Sequence, residues 1–125
     1  MRSRNSIRVV LAARRPLLGA LTDALAAPGV EIVAGCTSRE EALTAIGRSR
    51  PDVCIVDRDL AGGSLIATAA IALVHSPKVV VIGGRDGGVE RAFGLAGASA
   101  YLPGDLDAAG LLAAVLRLAG KDPSC

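Results

Sequence analysis

Residues 51–63 read "PDVCIVDRDLAGG". A proline opens the stretch, and four apolar residues, Val53 to Val56, run without a polar interruption into Asp57. A glycine-bearing loop follows. An apolar run this short, rich in β-branched side chains and bounded by turn residues, is a strand buried on both faces. A strand of that kind belongs inside a parallel sheet, with its carboxyl end delivering the next side chain to the sheet's rim.

The same grammar extends in both directions. "IRVVLA", residues 7–12, is a second such strand, and Pro16 suits the first turn of a helix that carries Leu17, Leu18, Leu21 and Leu25 at helical spacing through Ala27. "PG" at 28–29 stops it. "VEIVAG", 30–35, is strand-like, and "TSREEALTAIGRSR", 37–50, reads as a helix with Thr37 or Ser38 as N-cap, acids in the first turn and arginines in the last. Beyond Asp57 the pattern predicts a third helix over "LIATAAIALVHS" (65–76), a fourth strand in "KVVVIGG" (78–84) and a weak helix over 88–96. A fifth strand in "ASAYL" (98–102) and a closing helix over 107–119 complete it. Five alternating βα units call for an α/β fold: a single doubly wound, five-stranded parallel sheet, (βα)5, with right-handed crossovers. In such sheets functional groups collect beyond the carboxyl ends of the strands. Here those ends read Ala13-Arg14-Arg15, Asp57-Arg58-Asp59, Gly83-Gly84-Arg85 and Pro103-Gly104-Asp105.

Composition narrows the classes of activity. The 125 residues suit one domain, which buries about two-thirds of the surface its unfolded chain exposes. Half the residues are hydrophobic but only 2% are aromatic, so small aliphatic side chains must fill the core. A net charge of +2, with Phe93 and Tyr101 as the only aromatics, provides neither the field nor the stacking surface for direct nucleic-acid binding. The basic start "MRSRNSIR" precedes an apolar run too short for a signal peptide or a membrane span, which predicts a cytoplasmic protein.

Isolated features carry little chemistry. Cys36, Cys54 and Cys125 are widely spaced, with no CxxC and one histidine in the chain, so neither a zinc site nor a disulfide framework is expected. Cys54 reads as a small buried hydrophobe. His75 has no nucleophile or carboxylate placed beside it. "GGRDGG", 83–88, lacks the spacing of a dinucleotide fingerprint and the ending of a P-loop. No triad or cofactor motif is assembled, so an enzyme is not expected.

In "IRVVLA..RPLL", "RPDVCIVDRDLAGG" and "LAGASAYLPGD" the chain resembles the response-regulator receiver domains, the CheY-like fold, and within them the branch that precedes LuxR-type DNA-binding domains. The resemblance covers residues 7–120, leaving 1–6 as an N-terminal tail and 121–125 as a C-terminal tail or the start of a linker. It implies strand order 2-1-3-4-5 and makes Asp57 the phosphoacceptor position, served by a partner histidine kinase. It also implies Mg²⁺, held by Asp57, the Asp59 carbonyl and two acids ending the first strand.

Those two acids fall on Ala13 and Arg14. A phosphoryl group moving to an anion needs its charge neutralised, and a hard divalent cation wants several oxygen ligands; here one ligand is a methyl and the other a cation. The family's hydroxyl position falls on Gly83 and its lysine position on Gly104, while the switch aromatic is kept as Tyr101.

The expectation is therefore an atypical receiver domain, phosphorylation-independent and without a cofactor. Arg14, with Arg15 or Arg58 as further candidates beside it, would be ion-paired with Asp57 in place of the metal. Two alternatives accompany it. One is a working phosphoacceptor that needs Mg²⁺, with Asp59 or Asp86 as substitute ligand; the other is a ligand-sensing module using space left by Gly83 and Gly104. The closing helix is apolar around most of its circumference, which predicts a homodimer face at Leu111, Leu112, Val115 and Leu116. Output would pass through that dimer, or through docking to a C-terminal DNA-binding domain or a separate partner.

Overall fold

The computed structural model describes residues 6–60, 77–83, 100–103 and 108–119. Its strands are β1 (Ile7–Ala12), β2 (Val30–Cys36), β3 (Val53–Asp57), β4 (Lys78–Gly83) and β5 (Ala100–Pro103). All pair in parallel, in the order β2-β1-β3-β4-β5. This is the flavodoxin-like, CheY-like arrangement expected from the sequence. The helices predicted over 65–76 and 88–96 lie outside the described residues, as do His75, Asp86, Gly104 and Cys125.

The period-two alternation of side chains sorts the strands onto two cores. On one face Val9, Leu11, Val53, Ile55, Val80 and Ile82 pack beneath α1 (Arg15–Ala24) and the C-terminal helix (Ala108–Leu118). On the other, Val10, Ala12, Cys54, Val56, Val79 and Val81 meet Ala42 and Ile46 of α2 (Arg39–Ser49). β3, buried at every position, carries no polar residue before its tip at Asp57, whereas β1 and the half-buried edge strand β2 admit Arg8 and Glu31 near their starts. β2 and β5 form the two edges. β2 carries an irregularity, where the register against β1 shifts between Val9 and Val10 and leaves Val33 unmatched; β5 is only four residues long and ends in a proline.

Helix ends follow local chemistry. Ser38 caps α2, its hydroxyl accepting from Glu41 N at 3.2 Å, while the Glu41 carboxylate accepts from Thr37 N and Thr37 Oγ1, both at 3.1 Å. The reciprocal contact satisfies donors that a helix start leaves open. α1 ends at Ala24, short of the Ala27 expected from leucine spacing. Leu25 remains buried in the core, but the Ala27 and Val30 amides donate to Leu25 O and Ala27 O, so the chain turns towards Gly29 (φ 88°) and β2 instead of adding a helical turn.

The closing helix corrects one expectation. Leu111 and Val115, predicted to face a second copy, are buried in the chain's own core, with Leu112 and Leu116 half-buried against it. The stripe faces inwards because two helices share this face of the sheet, and the C-terminal helix packs against both the strands and α1.

Candidate functional site at the carboxyl end of the sheet

β1 and β3 are neighbours, so the residues beyond their carboxyl ends meet at the rim. Asp57, the last residue of β3, is completely buried and is the only buried charged side chain among the described residues. Burying a carboxylate in an apolar sheet is costly unless donors surround it. Three do. Oδ2 accepts from Arg14 N at 3.1 Å and from Arg14 Nε at 2.8 Å, and Oδ1 accepts from Asp59 N at 2.9 Å.

Arg14 reaches this carboxylate because it is the N-cap residue of α1, with an extended backbone that sets it at the junction between β1 and the helix. Its side chain is 55% exposed, so the guanidinium spans from the buried carboxylate to the surface, where Nη2 lies 3.4 Å from Asp59 Oδ2. Burial pushes the Asp57 carboxyl up, but the Arg14 side-chain bond, the two backbone N–H donors and the guanidinium charge outweigh it, leaving Asp57 below its usual range. The same hydrogen bond and charge raise Arg14 further above its already high value.

The other residues named from the sequence take distinct places. Ala13 is buried and Arg15 exposed. Arg58 does not pair with Asp57: its Nε lies 3.2 Å from Asp59 Oδ1 and its stem lies against Gly83. The space directly over the Gly83 Cα, where a side chain would stand, is thus taken up by the Arg58 stem, an arrangement that composition and spacing give no sign of. Tyr101 stands in β5 with Val81 as its register partner. What remains open is a depression of about 370 Å³, lined by Arg14, Pro16, Leu17, Ala20, Asp57, Asp59 and Gly83.

These residues do not fit Mg²⁺. Of the oxygens a hard cation would need, those of Asp57 already accept from Arg14 and Asp59, and the Asp59 carboxylate meets two arginines. A guanidinium occupies the approach. No group of three His, Cys, Asp or Glu side chains suited to a metal ion occurs among the described residues. The two thiols among the described residues are poor nucleophiles: burial raises Cys36, with the Glu41 charge adding to it, and pushes Cys54 up to about 12. No helix among the described residues is long and apolar enough to cross a membrane.

No protein-family model matches the chain, and no curated protein matches it. Solved structures do. The signal receiver domain of NarL from Mycobacterium tuberculosis superposes with a TM-score of 0.86 at 25% identity, over 93% of this chain and 98% of that one. A two-component response regulator of the LuxR family from Aurantimonas sp. gives 0.78 at 23% identity, over 95% and 91%. A response regulator from Thermotoga maritima gives 0.80 at 20% identity, over 92% and 98%. The structural neighbours of the chain are response-regulator receiver domains, and its fold is theirs.

Proposed function

We propose that this chain is an atypical receiver domain that regulates without being phosphorylated: a cytoplasmic interaction module and not an enzyme. Its output, transcription in the LuxR-type setting, passes through docking to a DNA-binding domain or a separate partner, or through association with a second copy on a surface other than the buried Leu111–Val115 stripe. One observation carries the reading. The buried Asp57 carboxylate is held by Arg14 through both main chain and side chain, so a fixed cation supplies the neutralisation that a divalent metal would otherwise provide. A carboxylate with both oxygens engaged and a depressed pKa is a poor nucleophile, and the guanidinium covers one approach to it.

The test is intact-mass analysis after incubation with acetyl phosphate, with and without Mg²⁺, beside Asp57→Asn. The expected result is no adduct under either condition. A Mg²⁺-dependent phosphoryl adduct lost in Asp57→Asn overturns the reading in favour of a phosphoacceptor served by a histidine kinase. The depression beside Arg14 supports a second reading, a ligand sensor, because Pro16, Leu17 and Ala20 give it an apolar wall next to a charged group. A small molecule that raises the melting temperature of the wild type but not of Leu17→Glu would favour that reading.

A further inference from the structure

Gly83, the last residue of β4, stands one step beyond Ile82, the register partner of Asp57. Its glycine identity is not a matter of backbone freedom, since its φ lies outside the range L side chains avoid. The requirement is spatial. A Cβ built on Gly83 would run into Cγ and Cδ of Arg58 and lie 3.0 Å from its Cβ. No other glycine with a described environment is pressed this closely; the next, Gly35, would meet Leu18 Cδ1 at 3.4 Å, an ordinary contact.

Arg58 is held from its main chain out to Nε. Its main-chain N–H donates to Ile82 O at 2.9 Å, carrying the β3–β4 ladder one residue past Asp57. The stem lies across Gly83, and Nε lies 3.2 Å from Asp59 Oδ1. The other oxygen of Asp59 takes Arg14 Nη2 at 3.4 Å. Only 19% of the Arg58 side chain is exposed, an unusual degree of burial for an arginine at a sheet rim.

From this geometry we infer that Arg58 and Gly83 are a reciprocal pair. Arg58 is a positioning residue that ties the exits of β1, β3 and β4 together through Asp59, and Gly83 is glycine because any side chain there would displace it. The inference deepens the phosphorylation-independent reading and rests on it. A hydroxyl side chain at position 83, able to grip a substituent on Asp57, and an arginine folded across that position exclude each other, so packing denies the β4 side that grip just as the Arg14 charge denies the β1 side a metal. Restoring a serine at 83 alone would unseat the tie without opening an ordered site.

The experiment is a double-mutant cycle on the full chain, comparing wild type, Gly83→Ser, Arg58→Ala and the double variant by thermal unfolding. Arg58→Lys, alone and with Gly83→Ser, is added because it keeps the aliphatic stem. Gly83→Ser is expected to lower Tm by roughly 5 °C in the presence of Arg58, as overpacking does. It is expected to lower Tm by about as much in the Arg58→Lys background, and by less than about 2 °C in the Arg58→Ala background. Rescue by Arg58→Ala but not by Arg58→Lys supports the pair. Equal losses in all three backgrounds overturn it, and so does a Gly83→Ser variant as stable as wild type. Should Gly83→Ser fail to fold, recovery of a folded double variant decides the same point. The cycle is independent of the acetyl phosphate experiment: an adduct on wild-type Asp57 would refute the functional reading, whereas additivity here would refute the pairing alone.

Discussion

The two ends of β3 invite comparison, because each pairs an aspartate with an arginine of the β1 region. At its start Asp52 Oδ2 accepts from Arg8 N at 2.9 Å; at its finish Asp57 Oδ2 accepts from Arg14 N at 3.1 Å. The main-chain arrangement is nearly repeated, and the side chains then diverge. Arg8 turns its guanidinium to the Ser49 carbonyl and leaves Asp52 exposed. Arg14 turns its guanidinium onto Asp57, which is wholly buried. The lesson concerns burial: an exposed carboxylate can share its bonds with water, whereas a buried one must have each donor supplied by the protein, and that protein-built cage specialises the site.

Substituting each aspartate by alanine tests the contrast most strongly. Asp57→Ala strands the Arg14 and Asp59 amides and is expected to cost about 2–3 kcal/mol in urea unfolding, against about 1 kcal/mol or less for Asp52→Ala. Equal costs would erase the distinction between the two ends. Cys54 lies between them and sharpens the test. Its thiol, raised to about 12 and buried, is inert until β3 opens. Alkylation at pH 8, followed by peptide mass mapping, is expected to run more than about tenfold faster in Asp57→Ala and no more than about fivefold faster in Asp52→Ala.

The smallest effect is on acid stability. Asp57 has a depressed carboxyl pKa in the fold, so its contribution is complete above the ordinary value near 3.8 and is lost as pH falls through that value towards the lower, folded one. Unfolding free energies measured from pH 6 to pH 2.5 are expected to fall less steeply below pH 4 in Asp57→Asn than in wild type. Identical acid limbs would mean that Asp57 carries no such linkage.

Much of this arrangement is legible in the sequence, for definite reasons. The strands announce themselves because both faces are covered, so "VVLA", "VCIV" and "VVVI" carry no polar interruption. Asp57 and Arg14 can be placed because each ends or follows such a run, where one-dimensional order and the sheet's rim coincide. Arg58 and Gly83 escape the sequence because their contact depends on the route of a long side chain across a neighbouring strand, which periodicity does not encode. The Leu111–Val115 stripe misled for a related reason: an apolar circumference says that a helix is covered, not whether its cover belongs to the same chain.

The unmatched Val33 in β2 has a consequence for the sheet as an object in solution. A parallel sheet with two open edges is a template on which further copies can stack indefinitely, the first step towards fibres. One edge here is interrupted by the irregularity at Val33, and the other is a short strand ending in Pro103, which has no N–H to offer. Both margins are therefore poor templates, which limits endless edge-to-edge growth in a chain with so apolar a sheet.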